Sequence, residues 1–91
     1  MYIAKDDYIE ISEGLTLARF ESPQLPELLR LLQTRGSREF EADWFANGVL
    51  IETNAEVQVT VTRDTVSVAR LYHYGEWDFI EIESPRTSPT A

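Results

Sequence analysis

Apolar and polar residues alternate in Tyr8–Ser12 (YIEIS) and again in Leu15–Phe20 (LTLARF). That is the period of a strand with one face buried. Glu13-Gly14 lies between the two runs and can turn, so the pattern predicts an N-terminal β-hairpin. After Phe20 the period lengthens. Leu25, Leu28, Leu29 and Leu32 recur at i, i+3, i+4 and i+7, the spacing of one helix face. Ser22 is a suitable cap, Pro23 and Pro26 suit a first turn, and Gly36 is a natural stop.

Residues Ser37–Ala46 fit two periods. As a helix they offer a Ser37 cap, acids in the first turn, a Phe40/Trp44 pair at i, i+4 and Asn47-Gly48 as a C-terminal stop. As a strand they alternate Phe40, Ala42, Trp44 and Ala46, and Asn47-Gly48 then makes a type I′ turn into the apolar run Val49–Ile51. The turn favours the strand. Valines at every second place in Ala55–Thr62, an Arg63-Asp64 turn, TVSVARLYHY, a Gly75-Glu76 turn and WDFIEIE then predict a three-strand antiparallel meander. The fold class expected is α+β: one small domain over 1–83, an antiparallel sheet (N-terminal hairpin plus C-terminal meander) packed on one main helix. Residues 84–91, SPRTSPTA, have no apolar side chain larger than alanine and are expected to be a disordered tail.

Two-residue turns fix the register, and the register fixes the faces. The first turn pairs Val61 with Val66 and Val59 with Val68. A turn at Gly75-Glu76 pairs Tyr74 with Trp77, Tyr72 with Phe79, Leu71 with Ile80 and Arg70 with Glu81. One face then collects Val57, Val59, Val61, Val66, Val68, Tyr72, Tyr74, Trp77 and Phe79, and this is the expected core face. The opposite face is polar at Gln58, Thr60 and Ser67 but apolar at Leu71, Ile80 and Ile82, with His73 beside Asp78. That patch is covered by the N-terminal hairpin or by another chain. The aromatic stretch is thus expected to be hairpin core, with a role as partner anchors as its functional alternative.

Charge adds the second theme. The 91 residues carry 16 acids and 8 Lys or Arg, a net −8, and Glu39–Glu83 accounts for the whole imbalance. Direct nucleic-acid binding needs a basic face and is not expected. A basic protein partner suits such a surface, although acidic surfaces also serve solubility alone. The candidate acidic contact residues are Glu39, Glu41, Asp43, Glu76, Asp78, Glu81 and Glu83. The candidate apolar contact residues are Leu71, His73, Ile80 and Ile82.

Candidate chemistry is sparse. There is no cysteine, so disulfides, thiolate metal sites and cysteine nucleophiles are excluded. His73 is the one histidine; its only builtin carboxylate neighbour is Asp78, no nucleophile motif accompanies it, and a pH-sensitive contact suits it better than catalysis. The acids follow no calcium-loop spacing, and one histidine cannot build a zinc site. The four glycines are scattered and form no phosphate loop. No catalysis, cofactor or metal is expected. No leader or membrane-spanning run is read, which suits a cytoplasmic protein.

These features point to a small acidic, non-enzymatic protein-interaction module. Its sharper form is an inhibitor or immunity-type protein whose carboxylates imitate phosphates toward a basic, nucleic-acid-processing protein. The alternative is a structural or assembly subunit that homodimerises through Leu71, Ile80 and Ile82. A third reading is a small-molecule pocket around Trp44, Tyr72, Tyr74 and Trp77. Hairpin, helix and meander occur together in many unrelated domains, so layout alone does not choose among them.

Overall fold

The turns written in the first two thirds of the chain form, and they set the order of the strands. The computed structural model describes residues 1–85. Its strands are β1 (Tyr2–Ala4), β2 (Tyr8–Glu13), β3 (Thr16–Glu21), β4 (Gly36–Ala46), β5 (Val49–Val61), β6 (Thr65–Arg70) and β7 (Phe79–Glu83). A 3-10 turn, Ser22–Gln24, leads into the helix α1, Leu25–Thr34, between β3 and β4. A second 3-10 turn, Glu76–Asp78, precedes β7. All seven strands pair antiparallel in chain order. The molecule is a small single domain, mostly antiparallel sheet with one helical segment. Among the described residues, no helix is long and apolar enough to cross a membrane.

Ser37–Ala46 is a strand. Asn47 and Gly48 have φ of 54° and 78°, the left-handed pair that a type I′ turn requires, and glycine reaches it without steric cost. β5 then returns along β4 with two bulges. Ala42 faces Ala55 and Trp44 faces Glu52, so β5 carries an extra residue there. Phe45 faces Leu50, which leaves Ile51 unpaired as a second extra residue. Asn54, at φ 56°, forms the first bulge, and its N–H donates to Asp43 Oδ1 at 3.1 Å. Bulges raise local twist and bend the strand. Here they curl the sheet until β7 packs against β2 and β3. Glu13 Oε1 accepts the Glu81 N–H across that seam at 3.0 Å.

The curled interior is the core. Ile9, Ile11, Ala18, Phe20, Phe40, Trp44, Val57, Val59, Val61, Val66, Val68 and Ile80 point into it, and Phe20 meets Phe40 edge-to-face at 6.0 Å. Leu25, Leu28, Leu31 and Leu32 add the helix. The expected stripe named Leu29 instead of Leu31. Leu29 is 44% exposed, while Leu31 on the other side of Leu28 and Leu32 is buried. Gln24 anchors that entry: its side-chain amide donates to the Glu41 carbonyl and accepts the Glu41 N–H at 2.7 Å, standing in for a neighbouring strand. Arg38 pairs with Glu27 and ties the helix to β4.

Two expectations are corrected here. The tail was to begin at residue 84, but Ser84 is buried and donates its N–H to the Asp64 carbonyl at 2.8 Å. Residues 86–91 lie outside the described residues. The second correction concerns the last hairpin. Val61 does pair with Val66 and Val59 with Val68, as expected. The next register is different: Ile80 faces Val68, not Leu71, and Ile82 faces Val66. The slip is three residues, an odd number, so the faces exchange. Ile80 becomes fully buried and Ile82 packs against the core, so neither belongs to an open apolar patch. Tyr72, Tyr74, Trp77 and Phe79, expected inside, are 79%, 94%, 39% and 48% exposed. The reason is volume and charge together. Trp44, Phe20 and Phe40 already fill the interior, and the wide connection lets Arg70 reach two carboxylates instead of one.

Candidate functional site

The connection from β6 to β7, residues 71–78, is built around Arg70. Arg70 sits on the core side of β6, opposite Val57, with its side chain 10% exposed. A guanidinium so deep needs partners, since an unpaired buried charge is costly. Nη1 donates to Asp78 Oδ1 at 2.7 Å and Nη2 to Glu52 Oε1 at 2.5 Å. Its plane lies toward the Trp44 ring, 6.0 Å from the centroid. Nη2 also approaches His73 Nε2 at 3.1 Å. Arginine only donates, so Nε2 is the acceptor in this contact.

The rest of the loop is pinned to the same centre. Asp78 Oδ2 accepts the Gly75 N–H at 2.9 Å, and the Asp78 N–H donates to the Gly75 carbonyl at 3.0 Å. A Cβ at position 75 would stand 3.0 Å from Asp78 Oδ2, so glycine permits this approach. Trp44 Nε1 donates to the Trp77 carbonyl at 2.7 Å. Tyr72 has φ 70°, a strained conformation for a large side chain, and it breaks β6 immediately after the clamp. The loop is therefore held by its polar groups while its aromatic rings stay outside.

Tyr72, Tyr74 and Phe79 border a groove of about 390 Å³ that is also lined by Gln58, Ala69, Arg70, Leu71, His73, Gly75 and Asp78. The outer face of the sheet continues from it. Phe79 faces Ala69, Ala69 faces Gln58, and Gln58 faces Glu39. In the next row Glu41 faces Glu56, two like charges directly opposed, and the Leu71 N–H donates to the Glu56 carbonyl. Like charges in that position destabilise a sheet. Glu81 faces Ser67 and Glu83 faces Thr65 at the far side. Glu39, Glu41, Glu56, Glu81 and Glu83 are all exposed. Among the described residues, no basic side chain forms an ion pair with any of them or with Glu76.

The residues singled out from sequence thus separate into groups. Glu39, Glu41, Glu81 and Glu83 share one exposed face, and Glu76 stands on the loop beside it. Asp43 is engaged at the β5 bulge, and Asp78 is 15% exposed and clamps Arg70, so both are structural here. Leu71 and His73 line the groove, apart from Ile80 in the core and Ile82 packed against it. Trp44 is buried, so the pocket expected from Trp44 and the loop aromatics does not assemble. Glu56 joins the acidic face although the sequence reading did not select it. Without the bulges the Asn47-Gly48 turn sets residue 54 opposite Glu41, and the two extra residues bring Glu56 there instead.

Among the described residues, no group of three or more His, Asp or Glu side chains is arranged to hold a metal ion. Comparison with family models, with curated proteins and with solved structures gives no match to this chain.

Proposed function

We propose that this chain is a small non-enzymatic binding module for a basic protein. The working surface is the outer face of β4–β7 together with the 71–78 loop. The observation that carries this reading is the exposure of four large aromatic side chains, Tyr72, Tyr74, Trp77 and Phe79, beside carboxylates without basic partners. Tyrosine and tryptophan are preferred anchors at protein interfaces, and unpaired carboxylates steer a cationic partner toward them. The chain itself contains the matching contact twice. Arg19 lies 4.1 Å over the Tyr8 ring between Glu10 and Glu21, and Arg70 lies over Trp44 between Glu52 and Asp78. Tyr72, Tyr74 and Phe79 on one side of this face, with Glu56, Glu41 and Glu39 farther across it, offer a partner's several arginines or lysines both aromatic and carboxylate contacts. An inhibitor or immunity-type role against a nucleic-acid-processing protein is the sharper form, because a row of carboxylates on a strand face resembles a phosphate row to a basic cleft.

The test is capture from native lysate with the tagged chain at about 50 mM and about 500 mM salt, read by mass spectrometry. A basic partner should appear at low salt, weaken at high salt, and be lost with Tyr74→Ala or with Glu39, Glu41 and Glu56 all changed to Gln. A partner held equally by every variant at both salt levels removes this reading.

A further inference from the structure

Positive charge gathers at one place in this acidic chain, the C-terminal end of α1. Arg30 on α1, Arg35 just after it and Arg38 on β4 line one pocket of about 210 Å³, together with Thr34 and Ser37. Glu27 is the one carboxylate there, and it pairs with Arg38. Among the described residues, Arg30 and Arg35 form no ion pair. Glu39 follows Arg38 in the chain but stands on the opposite face of β4, since Arg38 faces Val59 and Glu39 faces Gln58. Three guanidinium groups against one carboxylate leave the pocket positive in a chain of net charge −8.

Arg35 is held there under strain. Its φ of 71° and ψ of 166° lie in a region that glycine enters freely and other residues do not. Its N–H donates to the Leu31 carbonyl at 2.8 Å and closes the helix, a task that glycine performs without strain. The carbonyl end of a helix favours a cation, which accounts for one arginine and not for three around one pocket. Guanidinium edges present paired N–H donors that match phosphate oxygens, and the excess of two positive charges matches a dianion. The pocket is too small for a large ligand. The rest of the chain is more negative still and repels an extended polyanion. We infer that this pocket binds a phosphate group, free or carried by a small molecule, through Arg30 and Arg35, with Arg38 shared between the phosphate and Glu27. The site is separate from the acidic face and does not rest on the role proposed for that face.

Proton–nitrogen correlation NMR of the isotope-labelled chain tests it, with inorganic phosphate added to about 20 mM against sodium chloride of equal ionic strength. The Gly36 and Ser37 amides and the Arg30 and Arg35 Nε–H signals should shift and saturate with Kd near about 1 mM. Arg30→Gln with Arg35→Gln should weaken binding at least about 10-fold. Arg35→Gly should weaken it about 5-fold while raising Tm, because the strain is released. Glu27→Gln frees Arg38 and should tighten binding. Glycerol phosphate that binds more tightly than inorganic phosphate identifies a small phosphorylated molecule as the source, and the reverse order identifies the free ion. The absence of saturable shifts by about 20 mM overturns the inference. So does binding that Arg35→Gly and the double variant leave unchanged, or that Glu27→Gln weakens.

Discussion

The two outer surfaces of the sheet both expose apolar side chains, yet their charges are handled in opposite ways. Leu17, Phe45 and Leu50 form one row across β3, β4 and β5, and the acids around it are spent internally, on Arg19, on the Asn54 N–H and on the Glu81 N–H. Around Phe79, Tyr72 and Tyr74 the acids face water, and Glu41 stands directly against Glu56. The first set of acids is held in place by hydrogen bonds and one shared arginine but keeps a net negative charge. An aromatic patch with free carboxylates suits a cation-bearing partner and repels a copy of itself. Exposed apolar area alone would not separate the two surfaces; the pairing of the neighbouring charges does.

The strongest test of this contrast is Ile80→Asp against Leu50→Asp. Ile80 is sealed in the core, so a carboxylate there should cost more than about 4 kcal/mol and abolish the cooperative urea transition. Leu50→Asp, on the exposed hairpin, should shift stability by less than about 0.5 kcal/mol. Equal stability of the two proteins would break the register that defines both surfaces. Next in size is Arg70→Met, which strands Asp78 and Glu52 and should cost about 3 kcal/mol in urea unfolding. The loop should loosen with it, and Trp77 emission should shift to the red. An unchanged emission spectrum would mean the aromatic surface does not depend on the clamp.

Smaller effects sharpen the acidic side. Glu41→Lys turns the repulsion with Glu56 into attraction and should stabilise by a few tenths of a kcal/mol, raising Tm by about 1–3 °C. Raising salt should shrink that gain by screening. Smallest is Tyr2, on β1. Burial raises its pKa above the ordinary tyrosine value, so the folded protein holds the phenol proton longer than the unfolded chain does. Its contribution is complete below the unfolded pKa near 10 and is lost as pH rises through the higher folded value. Stability should therefore fall above about pH 10, and Tyr2→Phe should flatten that fall in a series of thermal melts.

Much of the frame was legible because it is written in local chemistry. The Asn47-Gly48 pair favoured a strand for Ser37–Ala46 without deciding it, because the same dipeptide ends helices as well as joining strands. Valines at every second place marked the core side of β5 and β6. The acidic face was partly legible, because Glu39, Glu41, Glu81 and Glu83 alternate with apolar partners. The candidate aromatic surface was not. Gly75-Glu76 resembles a tight turn, and nothing local says that eight residues, not two, join β6 to β7. Glu56 stayed hidden for a related reason, since a bulge leaves no periodic trace.

The sequence by itself determined the N-terminal hairpin, the antiparallel pairing of the valine strands, the single helix and the excess of negative charge, because turn residues, hydrophobic period and composition act over a few positions. Only the tertiary structure decided which faces those strands show after Arg70. There the choice lay between two registers with similar local patterns. A filled interior around Trp44 and the demand of a buried guanidinium for both Asp78 and Glu52 settled it, and both are contacts between residues far apart in the chain.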